Sequence, residues 1–223
     1  VYGGGAIAGV GFVSGVRSMV LASDSGIKGG AMHPLGVEKL IRAQDIALEN
    51  RLPFIQLVES AGANLARQSE IFVRGGRMFA NLAKLSAAGV PVVAVVNGSS
   101  TAGGAYQPGL SDYVVMVRGR SRVFLAGPPL LKAATGEIAD AEELGGAQMH
   151  CEVSGLGEYM AEDDADGCRI AREIMASLAW NDNLPATAEH SFKPPRYDAE
   201  ELLGIVPVDY RTPYDVREVI ARI

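Results

Sequence analysis

The sequence predicts an α/β domain, in which strands alternate with helices. Two short apolar runs, residues 54–58 and 92–96, have the length and the β-branched composition of strands. The second run is apolar throughout, as a strand covered on both faces would be. Between the two runs, apolar residues recur at helical spacing over residues 69–87. Strands separated by helices favour the α/β class.

The first third of the chain predicts a hairpin, a loop and a helix. Residues 6–13 and 17–22 alternate as strands do, and the Ser-Gly pair between them predicts a tight turn. The glycine-rich segment 23–34 predicts a loop. Apolar side chains then recur at helical spacing over residues 35–50, and Pro53 ends this helix before the next strand.

The later elements continue the alternation. Residues 69–87 predict one helix, or two helices broken at Gly75 and Gly76, and Gly89 is placed like a C-cap glycine. Beyond the strand at 92–96, the predicted elements are strands at 113–117 and 123–126 and helices at 141–145 and 163–178. Pro128 and Pro129 predict a break after the second of these strands.

The composition changes at Asn181, where asparagine and proline become frequent. The residues that follow hold one short helix and too few apolar side chains to fold alone. We therefore expect one domain over residues 1–180, followed by a linker and a further segment over residues 181–223. The first residues show neither an initiator methionine nor a signal-peptide pattern, which predicts a longer polypeptide.

Composition and charge exclude several classes of protein. The chain has 223 residues, enough for a sizeable core, and no run of eighteen apolar residues that would predict a membrane span. The net charge of −6 argues against nucleic acid as the main partner, because phosphate binding favours a basic face. Cys151 and Cys168 are too few for a disulfide framework and predict reduced thiols.

Two turns of small residues each follow a predicted strand. The first turn is residues 60–64 (SAGAN), and the second turn is residues 101–106 (TAGGAY). Small residues let main-chain N–H groups approach a ligand oxygen, and two turns can aim two donors at one carbonyl. A helix that begins near the second turn would add its positive end. The plainer alternative is that both turns only permit close packing. The candidate donors are the N–H groups of Ala61, Gly62, Gly103 and Gly104.

The polar residues offer weaker alternatives. Ser99 and Ser100 lie in a degenerate nucleophile elbow, but none of His33, His150 and His190 has a recognisable triad context. The same histidines show no metal-ligand spacing, so no metal site is predicted.

Several segments, taken in order, resemble the carboxyltransferase subunit of biotin-dependent acyl-CoA carboxylases. Asn64 makes the first turn similar to the methylcrotonoyl-CoA and geranyl-CoA branch, since the propionyl-CoA branch usually has arginine there. The segments that carry the resemblance are Lys28-Gly29-Gly30, residues 38–47 (EKLIRAQDIA), residues 58–65 (VESAGANL), residues 102–106 (AGGAY), residues 124–137 (FLAGPPLLKAATGE) and residues 143–147 (ELGGA).

The resemblance implies a crotonase-like fold, a spiral of ββα units, in which this half of the protein binds the acyl-CoA. A homologous second half binds biotin, and the active site forms where halves of two subunits meet. Residues 181–223 resemble the linker and the start of that second half. Lys28 and Lys132 also lie in predicted loops rich in glycine or proline, which favours contact with a phosphorylated ligand. The residues expected to bind the acyl-CoA are Lys28, Gly29, Gly30, Ala102 and Lys132.

The resemblance also implies a reaction and its partners. The acyl-CoA would lose a proton from its α or vinylogous γ carbon, and N–H groups would hold the enolate oxygen. Gly103 and Gly104 are the first choice for these donors, and Ala61 and Gly62 are the second. The carboxyl group comes from biotin on a partner subunit that works with a biotin carboxylase. The family implies a homo-oligomer, a hexamer at full length, in the cytoplasm or the mitochondrial matrix.

Two other functions stay open from the sequence. A biotin-dependent acyl-CoA decarboxylase would use the same half of the fold. Alternatively, the chain is a non-catalytic fragment that retains only the contacts between subunits.

Overall fold

The computed structural model describes residues 2–180, 193–209 and 211–223. The chain forms two compact units, Val1–Asn181 and Asp182–Ile223. The start of the predicted linker, residues 181–192, and with it His190, lies outside the described residues.

The first unit contains a seven-stranded sheet. Its strands are β1 (Ala6–Val13), β2 (Val16–Ser23), β3 (Phe54–Ser60), β4 (Val92–Thr101), β5 (Tyr113–Val117), β6 (Arg122–Phe124) and β7 (Tyr159–Ala161). The order across the sheet is β1-β2-β3-β4-β5-β7, and β6 pairs with the end of β4. β1 and β2 are antiparallel, and the other pairs are parallel.

Helices connect the strands. The α-helices are α1 (Pro34–Glu49), α2 (Gln68–Ala87), α3 (Tyr106–Gly109), α4 (Pro128–Thr135), α5 (Ala141–Gly145), α6 (Ala147–Met149) and α7 (Asp164–Ser177) in the first unit, and α8 (Leu202–Ile205) and α9 (Val216–Ile220) in the second. Short 3₁₀ helices occupy Tyr2–Gly5, Lys28–Gly30, Leu65–Arg67, Ala102–Ala105 and Ala199–Glu201, and a π-helical turn occupies His150–Ser154. Within the described ranges, no helix is long and apolar enough to cross a membrane.

The central strand β4 separates two hydrophobic cores. Val92 faces a core that α1 and α2 complete, with Leu82 among its buried members. Val93 and Val95 point the other way, into a core that includes Ile174 of α7. Because both faces of β4 are covered, the strand is apolar throughout instead of alternating with polar residues.

The predicted hairpin is confirmed. β1 and β2 are joined by Ser14 and Gly15, whose φ angles are 49° and 78°. Two consecutive positive φ values define a type I′ turn, whose twist matches that of the flanking strands. The turn therefore fixes the register of β1 against β2.

Helix α2 runs unbroken through Gly75 and Gly76, so the prediction of a single helix is confirmed and the alternative of two helices is wrong. The buried residues Ile71, Met78 and Leu82 form one stripe that continues across the glycine pair. Burial of that stripe outweighs the cost of two glycines in a helix, which is about 1 kcal/mol each. Gly89, after the end of the helix, has φ +67°, as predicted for a C-cap glycine.

Three later elements differ from the sequence prediction. Pro128 and Pro129 begin the helix α4, because proline fits the first helical turn, and Gly136 with φ +80° ends it. β6 covers only Arg122–Phe124 and ends before the predicted position. β7 has three residues, too few for a visible alternation.

The second unit is organised around a charged residue. Among its described residues, Arg222 has the one buried side chain. The guanidinium lies 4.7 Å from the centre of the Tyr197 ring and forms ion pairs with Glu201 and Glu218 at 2.7 and 2.9 Å. Polar contacts therefore hold this unit together, in contrast to the apolar cores of the first.

Candidate functional site

The first turn and the second turn lie side by side. Strands β3 and β4 are parallel neighbours, with Ser60 opposite Ser100, so both turns leave the same edge of the sheet. A Cβ atom on Gly62 would lie 3.1 Å from the carbonyl oxygen of Thr101 and 3.3 Å from the Cβ of Ala102. Gly62 also has φ +83°. A side chain at this position would therefore push the two turns apart.

A cavity of about 420 Å³ opens beside both turns. Its volume is within the range of small-molecule sites. The lining residues come from the two turns, the 3₁₀ helix after the first turn, the loop before α1, α1 itself and α2, and all are apolar or glycine. They are Met32, Val37, Ala61, Ala63, Leu65, Ile71, Phe72, Gly75, Gly76, Met78, Phe79, Ala102 and Gly103. Such a wall suits a hydrocarbon chain and offers no charged partner.

The second turn opens a short helix toward this cavity. Ala102 has φ +50°, a left-handed conformation that costs a residue with a Cβ about 1–3 kcal/mol. The 3₁₀ helix Ala102–Ala105 begins there. The first N–H groups of a helix have no partner inside it, and a left-handed residue before helical ones arranges N–H groups as an anion-binding concavity. Gly103 lies at this position and lines the cavity.

Gly103 and Gly104 have different surroundings. A Cβ atom on Gly103 would meet only Met32 Cε and Phe79 Cζ, both at an ordinary 3.8 Å. Gly104 is buried and does not line the cavity, and a Cβ atom there would lie 2.9 Å from the Cβ of Ser60. Gly103 therefore presents its backbone to the cavity, while Gly104 allows the second turn to pack on β3.

The two candidate N–H donors of the first turn are already used by the protein. Ala61 donates to the carbonyl oxygen of Gly29 at 3.1 Å, and Gly62 donates to Ser60 Oγ at 3.1 Å. Neither donor is available to a ligand in this arrangement. The second-choice role of Ala61 and Gly62 as donors is therefore not supported, and Ala61 contributes to the cavity wall instead.

The glycine-rich loop supports the first turn from behind. Gly30 has φ +73°, and a Cβ atom on it would lie 2.2 Å from the carbonyl oxygen of Glu59. Only glycine fits this contact between the loop and β3. Gly29 supplies the carbonyl that binds the first turn. Lys28 is exposed at the start of the loop and does not line the cavity.

Lys132 lies in a different setting from the one predicted. It belongs to the last turn of α4 and not to a loop, and its side chain is exposed. It does not line the cavity beside the two turns.

The serine and histidine candidates are not brought together. Ser100 is fully buried beneath Gly104, 3.2 Å from where a Cβ would be. His150 contacts Val123 O and Ser154 Oγ, at 2.8 and 2.7 Å. Neither His150 nor His33 forms a hydrogen bond to Ser99 or Ser100 within the described part of the chain. The arrangement therefore provides no serine–histidine pair there.

His33 instead contacts the first turn. Its Nδ1 lies 3.5 Å from Asn64 Nδ2, and Asn64 Oδ1 accepts the N–H of Ala66 at 3.1 Å. Burial, with the positive charges of Lys28 and Arg67 nearby, lowers the pKa of His33. A neutral imidazole can accept from the Asn64 amide, whereas a protonated one cannot.

The sequence analysis missed the part of the cavity that α2 supplies. Phe79 lines the cavity and packs against Tyr106, with the ring centres 4.8 Å apart. Gly75 is buried, yet a Cβ atom on it would meet nothing within 4 Å. The available signal was the glycine pair inside an otherwise regular helical pattern, which indicates close approach or open space as well as a break.

The carboxyl transferase domain family matches residues 1–223, the whole chain. The chain belongs to this family. It is 56% identical to the probable biotin-dependent acyl-coenzyme A carboxylase beta2 subunit of Mycobacterium tuberculosis, over 99% of this chain and 41% of that protein. The family predicted from the sequence motifs is thereby confirmed.

Two solved members of the family share the fold. The beta subunit of P. aeruginosa geranyl-CoA carboxylase is 60% identical with a TM-score of 0.77, over 99% of this chain and 41% of that chain. The transcarboxylase 12S subunit, described as a hexamer assembly with hydrolysed methylmalonyl-coenzyme A bound, is 33% identical with a TM-score of 0.73, over 97% and 41%. The crotonase-like fold and the predicted branch are confirmed, and the chain spans about two fifths of these relatives.

Proposed function

We propose that this chain is the acyl-CoA half of the carboxyltransferase component of a biotin-dependent acyl-CoA carboxylase. The observation that carries the proposal is the position of Gly103, at the start of a helix and on the wall of an apolar cavity of about 420 Å³. A thioester oxygen at this backbone would place its acyl chain among apolar side chains. A phosphate-binding protein would not need this pairing of N–H groups with an apolar wall. A serine hydrolase would also need a nucleophile and a base, and the described residues provide no serine–histidine pair.

The chemistry that the site supports is stabilisation of an enolate. When the acyl-CoA loses a proton beside its thioester, negative charge develops on the carbonyl oxygen. The N–H group of Gly103 and the positive end of the helix behind it would stabilise that charge, and one such donor is worth about 3 kcal/mol. Gly104 keeps the turn close to Ser60, which fixes the direction of the donor. Biotin, when bound on its partner subunit, supplies the carboxyl group and accepts the proton.

The roles proposed for the remaining residues follow from their positions relative to the cavity and to Gly103. Ala102 and Ala61 form the entrance wall of the acyl chain, and Gly62 lets the first turn pack closely against the second. Lys28 is exposed beside the glycine-rich loop, and we assign it, with Gly29 and Gly30, to the polar part of the CoA. Lys132, exposed on α4, is the second cation proposed for that part.

The domain organisation and partners belong to the same proposal. Residues 1–180 form the acyl-CoA-binding domain, and residues 181–223 form a linker and the start of the biotin-binding half. The full-length protein assembles as a homo-oligomer, a hexamer, with a subunit that carries biotin. Its compartment is the cytoplasm, or the mitochondrial matrix in a eukaryote.

Calorimetric titration of the 223-residue chain tests the proposal. The probes are geranyl-CoA, 3-methylcrotonoyl-CoA and CoA without an acyl group. Because each buried methylene contributes about 0.8 kcal/mol, geranyl-CoA should bind at least about tenfold more tightly than CoA. Equal affinities for the three ligands would contradict the acyl pocket. Failure of all three to bind a chain that circular dichroism shows to be folded would leave the assembly role as the better interpretation.

A further inference from the structure

Gln56 is a fully buried amide in the otherwise apolar middle of strand β3. Burial of an amide is costly unless hydrogen bonds inside the protein replace those to water. Gln56 Nε2 donates to the carbonyl oxygen of Gln107 at 3.1 Å and to Ser111 Oγ at 2.9 Å. Its Oε1 atom has no hydrogen-bond partner within the described part of the chain. The donor end of the side chain therefore accounts for a glutamine at this buried position.

The two contacts of Gln56 are made at the end of helix α3. The last carbonyl groups of a helix have no partner inside it. The N–H group of Ser111 bonds to the carbonyl oxygen of Pro108 at 3.0 Å and not to that of Gln107. The Gln107 oxygen instead accepts from Gln56 Nε2 and, at 2.8 Å, from Ser111 Oγ. Gln56 thus joins the C-terminal end of α3 to β3.

Helix α3 continues directly from the second turn. The 3₁₀ helix Ala102–Ala105 runs into α3 without a gap, so one helical segment joins Gly103 to the end that Gln56 holds. The start of this segment packs on the same strand, where a Cβ atom on Gly104 would lie 2.9 Å from the Cβ of Ser60. Two attachments to β3, at opposite ends of the segment, set the direction of its axis.

We propose that Gln56 is a positioning residue, which orients the N–H group of Gly103 by holding the end of α3. The inference rests on the proposed function, in which this N–H group stabilises the enolate oxygen. Gln56 does not line the cavity beside the two turns, so it acts through the helical segment. A hydrogen bond weakens steeply as its angle becomes less linear. A small rotation of the segment would therefore weaken the donor at the moment when charge develops on the oxygen.

A positioning role and a purely structural role predict different kinetics. A purely structural amide changes the fraction of protein that is folded, but not the turnover of each folded site. A positioning amide changes kcat, because the donor binds most strongly in the transition state. The KM for the acyl-CoA should stay nearly constant, because the apolar wall supplies most of the binding in the ground state.

Gln56→Met in the complete carboxylase tests the proposal. Methionine has nearly the length and volume of glutamine, so it removes the donor and keeps the core filled. We expect kcat per folded site to fall by about tenfold, since a donor misplaced by 1 Å costs about 100-fold and this displacement is smaller. The KM for the acyl-CoA should change by less than about twofold.

Gln44→Met is the matched control. Gln44 is also fully buried, but it lies on α1, and its amide has no hydrogen-bond partner among the residues that the structure describes. The same substitution there should leave kcat at the wild-type value. A wild-type kcat in Gln56→Met, or an equal loss of kcat in Gln56→Met and Gln44→Met, would overturn the positioning role.

Ser111→Ala tests the same contact if Gln56→Met does not fold. Ser111 is only partly buried, and alanine removes one of the two donors to the Gln107 oxygen. Loss of one such hydrogen bond should lower kcat by about threefold. Hydrogen exchange over residues 102–111 should become faster, while β4 keeps its protection. A wild-type kcat, or unchanged exchange over residues 102–111, would overturn the proposal.

Gly103→Val distinguishes a failure of this inference from a failure of the proposed function. If Gly103→Val is inactive and Gln56→Met turns over like the wild type, only the positioning role is wrong. If Gly103→Val keeps the wild-type turnover, the N–H group of Gly103 is not the donor. The proposed function then loses the observation that carries it, and the positioning role of Gln56 fails with it.

Discussion

The N–H group of Ala61 donates to the carbonyl oxygen of Gly29 at 3.1 Å. This bond ties the first turn to the glycine-rich loop and, with the bond from Gly62 to Ser60 Oγ, occupies the two donors that the sequence predicted in that turn. Gly103 opens a helix, where N–H groups have no partner inside the helix. The two turns therefore have different roles. The first turn forms part of the cavity wall, and the second turn provides the N–H donor proposed for the substrate oxygen.

Gly103→Val should remove activity without unfolding the protein. A valine side chain would occupy the space in front of the N–H group, where the oxygen is proposed to lie. We expect the turnover of the complete carboxylase to fall by about 100-fold or more. The melting temperature should change little, since a Cβ at this position meets atoms no closer than 3.8 Å. Gly109→Val, whose Cβ would meet nothing within 4 Å, is the matched control. Wild-type turnover in Gly103→Val would refute the assignment.

Gly104→Ala should lower the stability of the protein, in contrast to Gly103→Val, which should lower its turnover. The added Cβ would lie 2.9 Å from the Cβ of Ser60, so the second turn or β3 must move. We expect the free energy of unfolding to fall by about 1–3 kcal/mol, as in other overpacked sites. Urea denaturation of Gly104→Ala and Gly103→Ala measures the difference. Similar stabilities of the two variants would show that the close contact is easily relieved.

Gly75→Leu should shorten the acyl pocket. Gly75 is buried on the wall formed by α2, and open space lies in front of it. Leucine also favours a helix by about 1 kcal/mol over glycine, so folding is preserved. Calorimetry should show weaker binding of geranyl-CoA with little change for 3-methylcrotonoyl-CoA. Ala80→Leu, at an exposed position on the same helix, should bind both as the wild type does. An equal loss for both ligands would indicate a general distortion instead.

His33 should make the stability depend on pH. Burial, with the charges of Lys28 and Arg67, holds the pKa of His33 below the ordinary 6.5. Below pH 6.5 the unfolded chain therefore binds a proton that the folded chain resists. The free energy of unfolding should decrease as the pH falls through 6.5, and this loss should end below the folded pKa. Urea denaturation of the wild type and His33→Gln at several pH values isolates the effect. Parallel curves for the two proteins would contradict it.

Arg222→Ala should loosen the second unit alone. The guanidinium binds Glu201 and Glu218 and stacks on Tyr197, and no apolar core replaces these contacts in the described part of the unit. Hydrogen exchange should become faster over residues 193–223 and stay unchanged in the sheet of the first unit. If protection from hydrogen exchange persists in Arg222→Ala, contacts other than those of the arginine stabilise this unit.

The parts of the fold that local chemistry determines were predictable. The Ser-Gly turn fixes the hairpin through its two positive φ values, and the apolar run at β4 reflects burial on both faces. α4 was missed because two prolines were interpreted as a break, although proline also favours the first turn of a helix. Gly75 and Gly76 were ambiguous for the same reason, since only the packing of α2 decides between a break and a cavity wall.

The site was predictable only in part. The order of strands and small residues predicted both turns and their position at the same edge of the sheet. It did not predict which turn keeps free N–H donors, because the bond between Ala61 and Gly29 joins distant segments that no local pattern connects. The contact of Gly104 with Ser60 likewise depends on the register of β3 against β4.

The donor proposed at Gly103 is a main-chain N–H group, which every amino acid except proline carries. Substitution by any residue other than proline can obstruct this donor but cannot delete it, whereas the far wall on α2 consists of exchangeable side chains such as Phe79. The backbone at the second turn therefore determines the type of reaction, whereas the side chains of α2 determine the length of the acyl chain. Substitutions in α2 can change the accepted acyl group during evolution and leave the reaction the same.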